Sequence, residues 1–334
     1  MLVAGLIAVC VAVPAWASAD KAGSAAKAGA GYKLAETTGG SSDAFYVSLN
    51  CGAETEAKAL GDTMKIFSLP TGGGNAQDEA MDNAALLSHP KGVLLGWEGS
   101  ENYVPIIKQF ESAGIPVVEI NSATTASNYY QAVVAPATDD AHAVQIAKMI
   151  AQNAGNSGTV IILAAAAASP TINARWKPVV AELKRLAPKL QILPTEYDGF
   201  STQKAESIAS GLLVAHPNVK AIWTTSGPEG EGAIAAVQQA HQQGKALIYS
   251  YDAEPEEVAA LKDGTVKALL AQSPFTEGED GVKTLVSYLH AHSARGPVKG
   301  EATPHVKPIP TMVLTKANVS SAAAKPYLYK ASCS

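Results

Sequence analysis

An aspartate and a glutamine close two neighbouring apolar runs late in the chain, and their side chains are the first candidates for chemistry. Ala246–Tyr249 leads to Asp252, and Val266–Ala271 leads to Gln272, with Pro274 just after it. A carboxylate that only accepts, beside an amide that donates and accepts, can read hydroxyl groups on a small polar molecule. Taken alone, each residue reads as a loop cap. Other polar and aromatic residues stand at comparable places, after apolar runs or at helix starts. They are Asp43 with Phe45 and Tyr46, Trp97 with Glu98, Asn121 with Ser122, Arg175 with Trp176, Phe200 and Ser226. Singly, most are ordinary caps or core aromatics. As a set they describe a crevice in which aromatic faces stack on a ring and charged groups bind hydroxyls.

Signatures of catalysis do not accompany them. The chain has no G-x-S-x-G, no G-x-x-x-x-G-K-[ST] and no H-E-x-x-H. Residues 72–74 and 227–232 are glycine-rich without G-x-G-x-x-G spacing and read as loops entering helices. His290 and His292 end a helical segment, and two alternate histidines without a third ligand make a poor metal site. The expectation is a binding protein with no catalytic residue, no cofactor and no metal. An enzyme built in the same crevice is the minor reading.

The elements that position these residues alternate. Strands are predicted at 32–36, 64–69, 92–95, 116–120, 159–163, 190–194, 221–225, 246–250 and 266–271, with helices near 44–60, 75–88 and 101–113 between the early ones. Phe45, Leu49, Ala53, Ala57 and Leu60 form a helical stripe. Strands separated by helix-length patterns imply parallel sheets with right-handed crossovers. The halves also echo one another: Ser88-His89-Pro90 and Ala215-His216-Pro217 each stand between a helix and the next strand. Two like-folded α/β domains follow, with the chain first crossing between them near 135–138.

At 334 residues and a formal net charge of -5, the chain has room for two cores and lacks the basic excess that nucleic acid or anionic membranes select. Residues 1–19 read as a signal peptide: an apolar stretch, Pro14, then Ala17-Ser18-Ala19 as a cleavage site. They hold no Lys or Arg, which leaves the translation start open. Residues 20–31 form a small, polar tether. Cys51 and Cys333 are either a disulfide or two separate thiols.

The order of these residues resembles a known family, the periplasmic substrate-binding proteins of ribose-, galactose- and xylose-type sugar ABC transporters. The likeness runs from about Tyr32 to Ala317. It is carried by Asp43-Ala44-Phe45-Tyr46-Val47-Ser48-Leu49, Ala113-Gly114-Ile115-Pro116-Val117-Val118, Leu212-Leu213-Val214-Ala215-His216-Pro217 and Ala271-Gln272. The resemblance implies two Rossmann-like domains with parallel sheets, joined by a three-strand hinge. The lobes would be 32–136 plus 274–305 and 137–273 plus 306–334, with crossings near 136–138, 273–274 and 303–308. It also implies ligand contacts from Asp43, Phe45, Tyr46, Trp97, Asn121, Arg175, Phe200, Ser226, Asp252 and Gln272. Asn121-Ser122 stands where many relatives carry Asp-Arg, Ser226 where relatives often carry Asn or Asp, and Trp97 adds bulk. The ligand is therefore open among sugar, polyol and nucleoside-like molecules. The implied partners are that small ligand and the membrane permease of an ABC importer, with no nucleic acid, for a periplasmic monomer. A sensor presenting a signal molecule to a receptor is the alternative.

Overall fold

The computed structural model describes residues 31–70, 75–96, 104–122, 132–136, 140–155, 157–292 and 305–333. The expected leader, the tether up to residue 30, and Trp97 lie outside the described residues. The first half runs β1 (Lys33–Gly40), α1 (Ala44–Leu60), β2 (Thr63–Leu69), α2 (Asn75–Leu87), β3 (Val93–Gly96), α3 (Val104–Ser112), β4 (Val117–Ile120) and β5 (Ala132–Pro136). The second half runs α4 (Asp140–Ala154), β6 (Thr159–Ala164), α5 (Pro170–Leu186), β7 (Gln191–Ile192), β8 (Glu196–Tyr197), α6 (Thr202–Ala215), β9 (Val219–Thr224), α7 (Gly227–Gln239), β10 (Leu247–Tyr251), α8 (Pro255–Asp263) and β11 (Val266–Ala271). Then come α9 (Pro274–Ala291), β12 (His305–Ile309) and β13 (Met312–Leu314).

The strands form two sheets, ordered β2-β1-β3-β4-β5-β12 and β7-β6-β9-β10-β11-β13, with β8 also on β6. Within each half the order is second, first, third, fourth, fifth, so the same doubly wound topology occurs twice. Every pair is parallel except β13, which runs antiparallel to β11. β4, β6 and β10 are buried at every position, as expected of parallel strands covered by helices on both faces. The His-Pro echo has a topological meaning. His89 follows α2 and precedes β3, while His216 caps α6 and precedes β9, and both strands are third in their sheets.

Three differences from the sequence reading have physical causes. β1 continues past Glu36 to Gly40, because Glu36, Thr37 and Thr38 are buried inside the sheet despite their polarity. The run at 190–194 shortens to the two-residue β7, and a second two-residue strand, β8, follows it at 196–197. β12 pairs with β5 from His305 to Ile309, so the chain changes sheet between Ile309 and Met312, later than the expected 305/306 boundary. The other changes of sheet fall between β5 and α4, and between β11 and α9. α9 returns to pack on α1, β3 and β4.

The α1–α9 contact is close because glycines remove side chains from it. A Cβ on Gly278 would overlap the Leu49 carbonyl, and one on Gly52 would overlap that of Phe275. Backbone cannot step aside as a side chain can, so overpacking here has no relief. Gly278→Val should cost about 1–3 kcal/mol or more, read as a lower thermal midpoint than that of Gly211→Val, where the space beside the glycine is open.

Candidate functional site

The carboxyl ends of both sheets face one another, and a cleft of about 290 Å³, counting solvent at its mouth, lies between them. Its walls are Asp43, Phe45, Tyr46, Asn121, Arg175, Phe200, Ser226, Asp252 and Gln272. The structure thus gathers every described residue that the resemblance put at the ligand, while Ser122 and Trp176, named beside them in the sequence, are not among the lining residues, and Trp176 packs against the core instead.

Each is delivered by a local device. Asp43 caps α1, its Oδ1 accepting from the Phe45 amide at 2.8 Å, which sets the first turn and the Phe45 and Tyr46 rings behind it. Those two rings meet edge to face at 5.1 Å. Arg175 comes from the first turns of α5, whose N-cap is Ser169. Ser226 begins α7, its hydroxyl donating to Glu229 Oε2 at 2.6 Å.

Asn121 and Asp252 are placed by the same turn, one in each half. Both directly follow the fourth strand of their sheet, both have positive φ (70° and 87°), and both donate a backbone N–H to the fifth strand. The acceptors are Val134 and Leu270, each at 2.9 Å. Phe200 also has positive φ, 61°, so three of the five non-glycine residues in this region among the described residues line one cleft. Such conformations cost on the order of 1–3 kcal/mol each and persist where surroundings over-determine them, which is typical of ligand clamps.

Asp252 is the centre of the polar wall. Its Oδ1 accepts from Gln272 Nε2 at 2.6 Å and from the Tyr329 hydroxyl at 2.7 Å, and its Oδ2 lies 3.8 Å from Arg175 Nη1. Arg175 donates to the Thr225 carbonyl at 3.0 Å and lays its guanidinium over the Tyr251 ring at 4.3 Å. Against this saturated centre stand polar atoms with none. Gln272 Oε1 and both amide atoms of Asn121 are buried without a hydrogen-bond partner among the described residues. Buried amides left so are costly, and a hydroxyl-rich ligand would satisfy them.

Acidic groups crowd behind this wall. Glu254, at the N-cap of α8, is pushed up to about 11, first by burial and then by Asp43, Glu257, Asp252 and Glu231. Glu277 on α9 is raised to about 8 by burial, opposed by the Arg175 charge. Burial, then the neighbouring Asp198, raises Glu229 well above its usual range. Glu254 and Glu277 therefore hold a proton near neutral pH, which leaves the Arg175 charge to Asp252 and the cleft.

Tyr329, Tyr251 and the protonated carboxyls were not legible as site residues. Tyr251 adjoins Asp252 and alternation could have found it. Tyr329 lies in a tail without periodicity, marked only by the nearby Cys333. That cysteine is disulfide-bonded to Cys51, with Cα atoms 5.2 Å apart across 282 residues, which settles the two alternatives left by the sequence.

Two doubly wound sheets with a polar, aromatic cleft between their carboxyl ends define a two-lobed small-molecule receptor. The family model described as periplasmic binding protein domain matches residues 37–293, and the chain belongs to that family. It is 28% identical over 251 residues to the D-allose-binding periplasmic protein of Escherichia coli, covering 73% of this chain and 80% of that one. It is also 28% identical over 242 residues to the ribose import binding protein RbsB of Salmonella typhimurium, with coverage of 72% and 78%. Among solved structures, an ABC transporter solute binding protein from Agrobacterium vitis with bound D-fucose superposes with a TM-score of 0.79 at 25% identity, covering 89% of this chain and 100% of that one. These relatives are binding proteins.

The buried carboxyls make stability depend on pH in a definite sense. Glu277 and Glu36 titrate near 8 in the folded chain against an ordinary 4.5, and burial is the first cause for both. Their contribution is complete below about 4.5 and is lost as pH rises towards 8, because only the unfolded chain ionises freely in that window. The ligand-free thermal midpoint should fall from pH 5 to pH 8. Glu277→Gln should flatten that slope by about one proton's worth, roughly 1.4 kcal/mol per pH unit.

Proposed function

We propose that this protein is the exported, periplasmic solute-binding component of an ABC-type importer, which captures a monosaccharide between its lobes and passes it to a membrane permease. The observation that carries the reading is the hydrogen-bonded Asp252 centre beside the unpartnered amides of Gln272 and Asn121. A carboxylate, a guanidinium and two amides complement vicinal hydroxyls, while Phe45, Tyr46 and Phe200 offer apolar faces to a sugar ring. The names of the relatives point to D-ribose, D-allose or a related aldose.

Binding works through closure. Asn121 and Asp43 belong to one lobe, and Arg175, Asp252 and Gln272 to the other, so all of them grip one ligand only when the lobes meet. The sugar then selects the closed form in proportion to the contacts that form gains. Gln272 directly precedes Ser273-Pro274, where the chain changes sheet, so occupancy and hinge geometry are joined through adjacent residues. Residues 1–19 serve as the leader that exports the chain, and the ligand leaves chemically unchanged.

Thermal-shift screening of D-ribose, D-allose, D-fucose, D-tagatose and adenosine should single out an aldose, since a ligand of the folded state raises the melting midpoint by mass action. Calorimetry with that sugar should show Asp252→Ala and Arg175→Ala weakened by roughly ten- to a hundredfold or more, the worth of hydrogen bonds to charged groups. Undiminished affinity in both variants sinks the site assignment. Recovery of a modified sugar sinks the binding-protein reading in favour of catalysis.

A further inference from the structure

We propose that the C-terminal tail is a fourth, reducible link between the two lobes, and that its Tyr329 is a positioning residue for Asp252. The second half of this statement rests on the sugar-binding reading above; the first does not.

The tail is attached to both lobes within a few residues. β13 pairs with β11 of the second sheet, and Asn318, accepting from the Thr315 amide and donating to the Val313 carbonyl, turns the chain after it. Tyr329 is still on that side: its amide reaches the Ala253 carbonyl at 3.3 Å and its hydroxyl donates to Asp252 at 2.7 Å. The next residue is already on the other side. The Lys330 amide donates to Ser48 on α1 at 2.6 Å, and its ammonium lies 4.0 Å from the centre of the Phe275 ring on α9. Three residues later Cys333 is bonded to Cys51 on α1. Phe45 of the first lobe closes the group, meeting the Tyr329 ring edge-on at 5.7 Å.

The physical consequence follows from chain length. From Tyr329 to Cys333 the backbone can span at most about 14 Å. Lobe separation at the cleft cannot exceed what that segment allows while the disulfide holds and Tyr329 keeps its place. A cross-link acts by removing conformations from the looser state, here the open form, so it favours closure without touching the ligand. Tyr329 adds a second effect. Its hydroxyl and Gln272 share Asp252 Oδ1, which holds the carboxylate in one orientation toward the cleft and Arg175.

Cys333 is exposed while Cys51 is buried, so a dithiol reductant has one sulfur to attack. Its thiolate bonds to Cys333 Sγ, and the protein's S–S bond breaks with its electron pair leaving on Cys51. The reductant's second thiol then displaces Cys333. The protein ends with two thiols and the reductant with one disulfide.

Small-angle scattering and calorimetry on the mature full-length protein test this, with and without dithiothreitol, using whichever of D-ribose, D-allose or D-fucose binds most tightly. Reduction should increase the radius of gyration of the sugar-free protein, leave that of the sugar-saturated protein unchanged, and raise Kd about three- to tenfold. Cys51→Ser combined with Cys333→Ser should reproduce both changes and abolish the response to dithiothreitol. Tyr329→Phe, oxidised, should raise Kd by about three- to tenfold, the worth of one hydrogen bond, with sugar-free scattering unchanged. Identical sugar-free scattering before and after reduction overturns the link. So does loss of the far-ultraviolet helical signal on reduction, because the disulfide then holds the fold itself. Undiminished affinity in Tyr329→Phe overturns the positioning role. If no sugar binds wild type, the functional reading fails while the scattering still decides the link.

Discussion

A buried carboxylate must be surrounded by donors, and Asp252 is the point at which this chain meets that demand from several directions. Its partners come from the end of β11, from α5, the helix that follows β6, and from the last residues of the chain. None of these segments adjoins another in sequence. Each must be in place before the charge is tolerable, so the second lobe, its crossing to the first and the tail are bound to one another through a single side chain. Arg175 supplies the countercharge, and the surrounding acids avoid competing for it by holding their protons, Glu277 and Glu254 chief among them.

The doubled topology explains why the cleft has two comparable walls. In each half the chain leaves the fourth strand by a left-handed residue that bonds to the fifth, which turns one polar side chain back over the carboxyl edge. In the second half that residue is Asp252, saturated with partners. In the first it is Asn121, whose amide has none among the described residues. The second wall is thus largely hydrogen-bonded within the protein, while unpartnered amide atoms remain on both walls, at Asn121 and at Gln272 Oε1, among the described residues. That asymmetry suits a receptor in which one lobe holds the ligand first and the other closes on it.

The connections between lobes lie where they bear on the cleft. Gln272 stands at the last position before the chain leaves the second sheet, and the N-terminal turn of α9 brings Glu277 beneath the same wall. α9 then locks to α1 through glycine-mediated contacts that leave no room for side chains. The tail also returns to α1 and is covalently closed there.

The sequence by itself determined the alternation of strands and helices, because hydrophobic periodicity is a local property, and with it the α/β class and the His-Pro echo of two halves. It also determined the candidate residues, since polar groups placed just beyond apolar runs must fall at the carboxyl edge of a parallel sheet. Strand content was misread where local polarity contradicted burial, as in Glu36, Thr37 and Thr38, which lie inside the first sheet, and the short strands β5, β12 and β13 were not foreseen. Tertiary structure alone decided the rest. The choice between a disulfide and two thiols depended on residues 282 positions apart reaching bonding distance. The contact of Tyr329 with Asp252 spans 77 positions and leaves no periodic trace. The protonation of Glu254 and Glu277 depends on how much water the assembled lobes exclude. Proximity across the fold and loss of solvent are properties of the packed chain, and no local pattern of residue types encodes them.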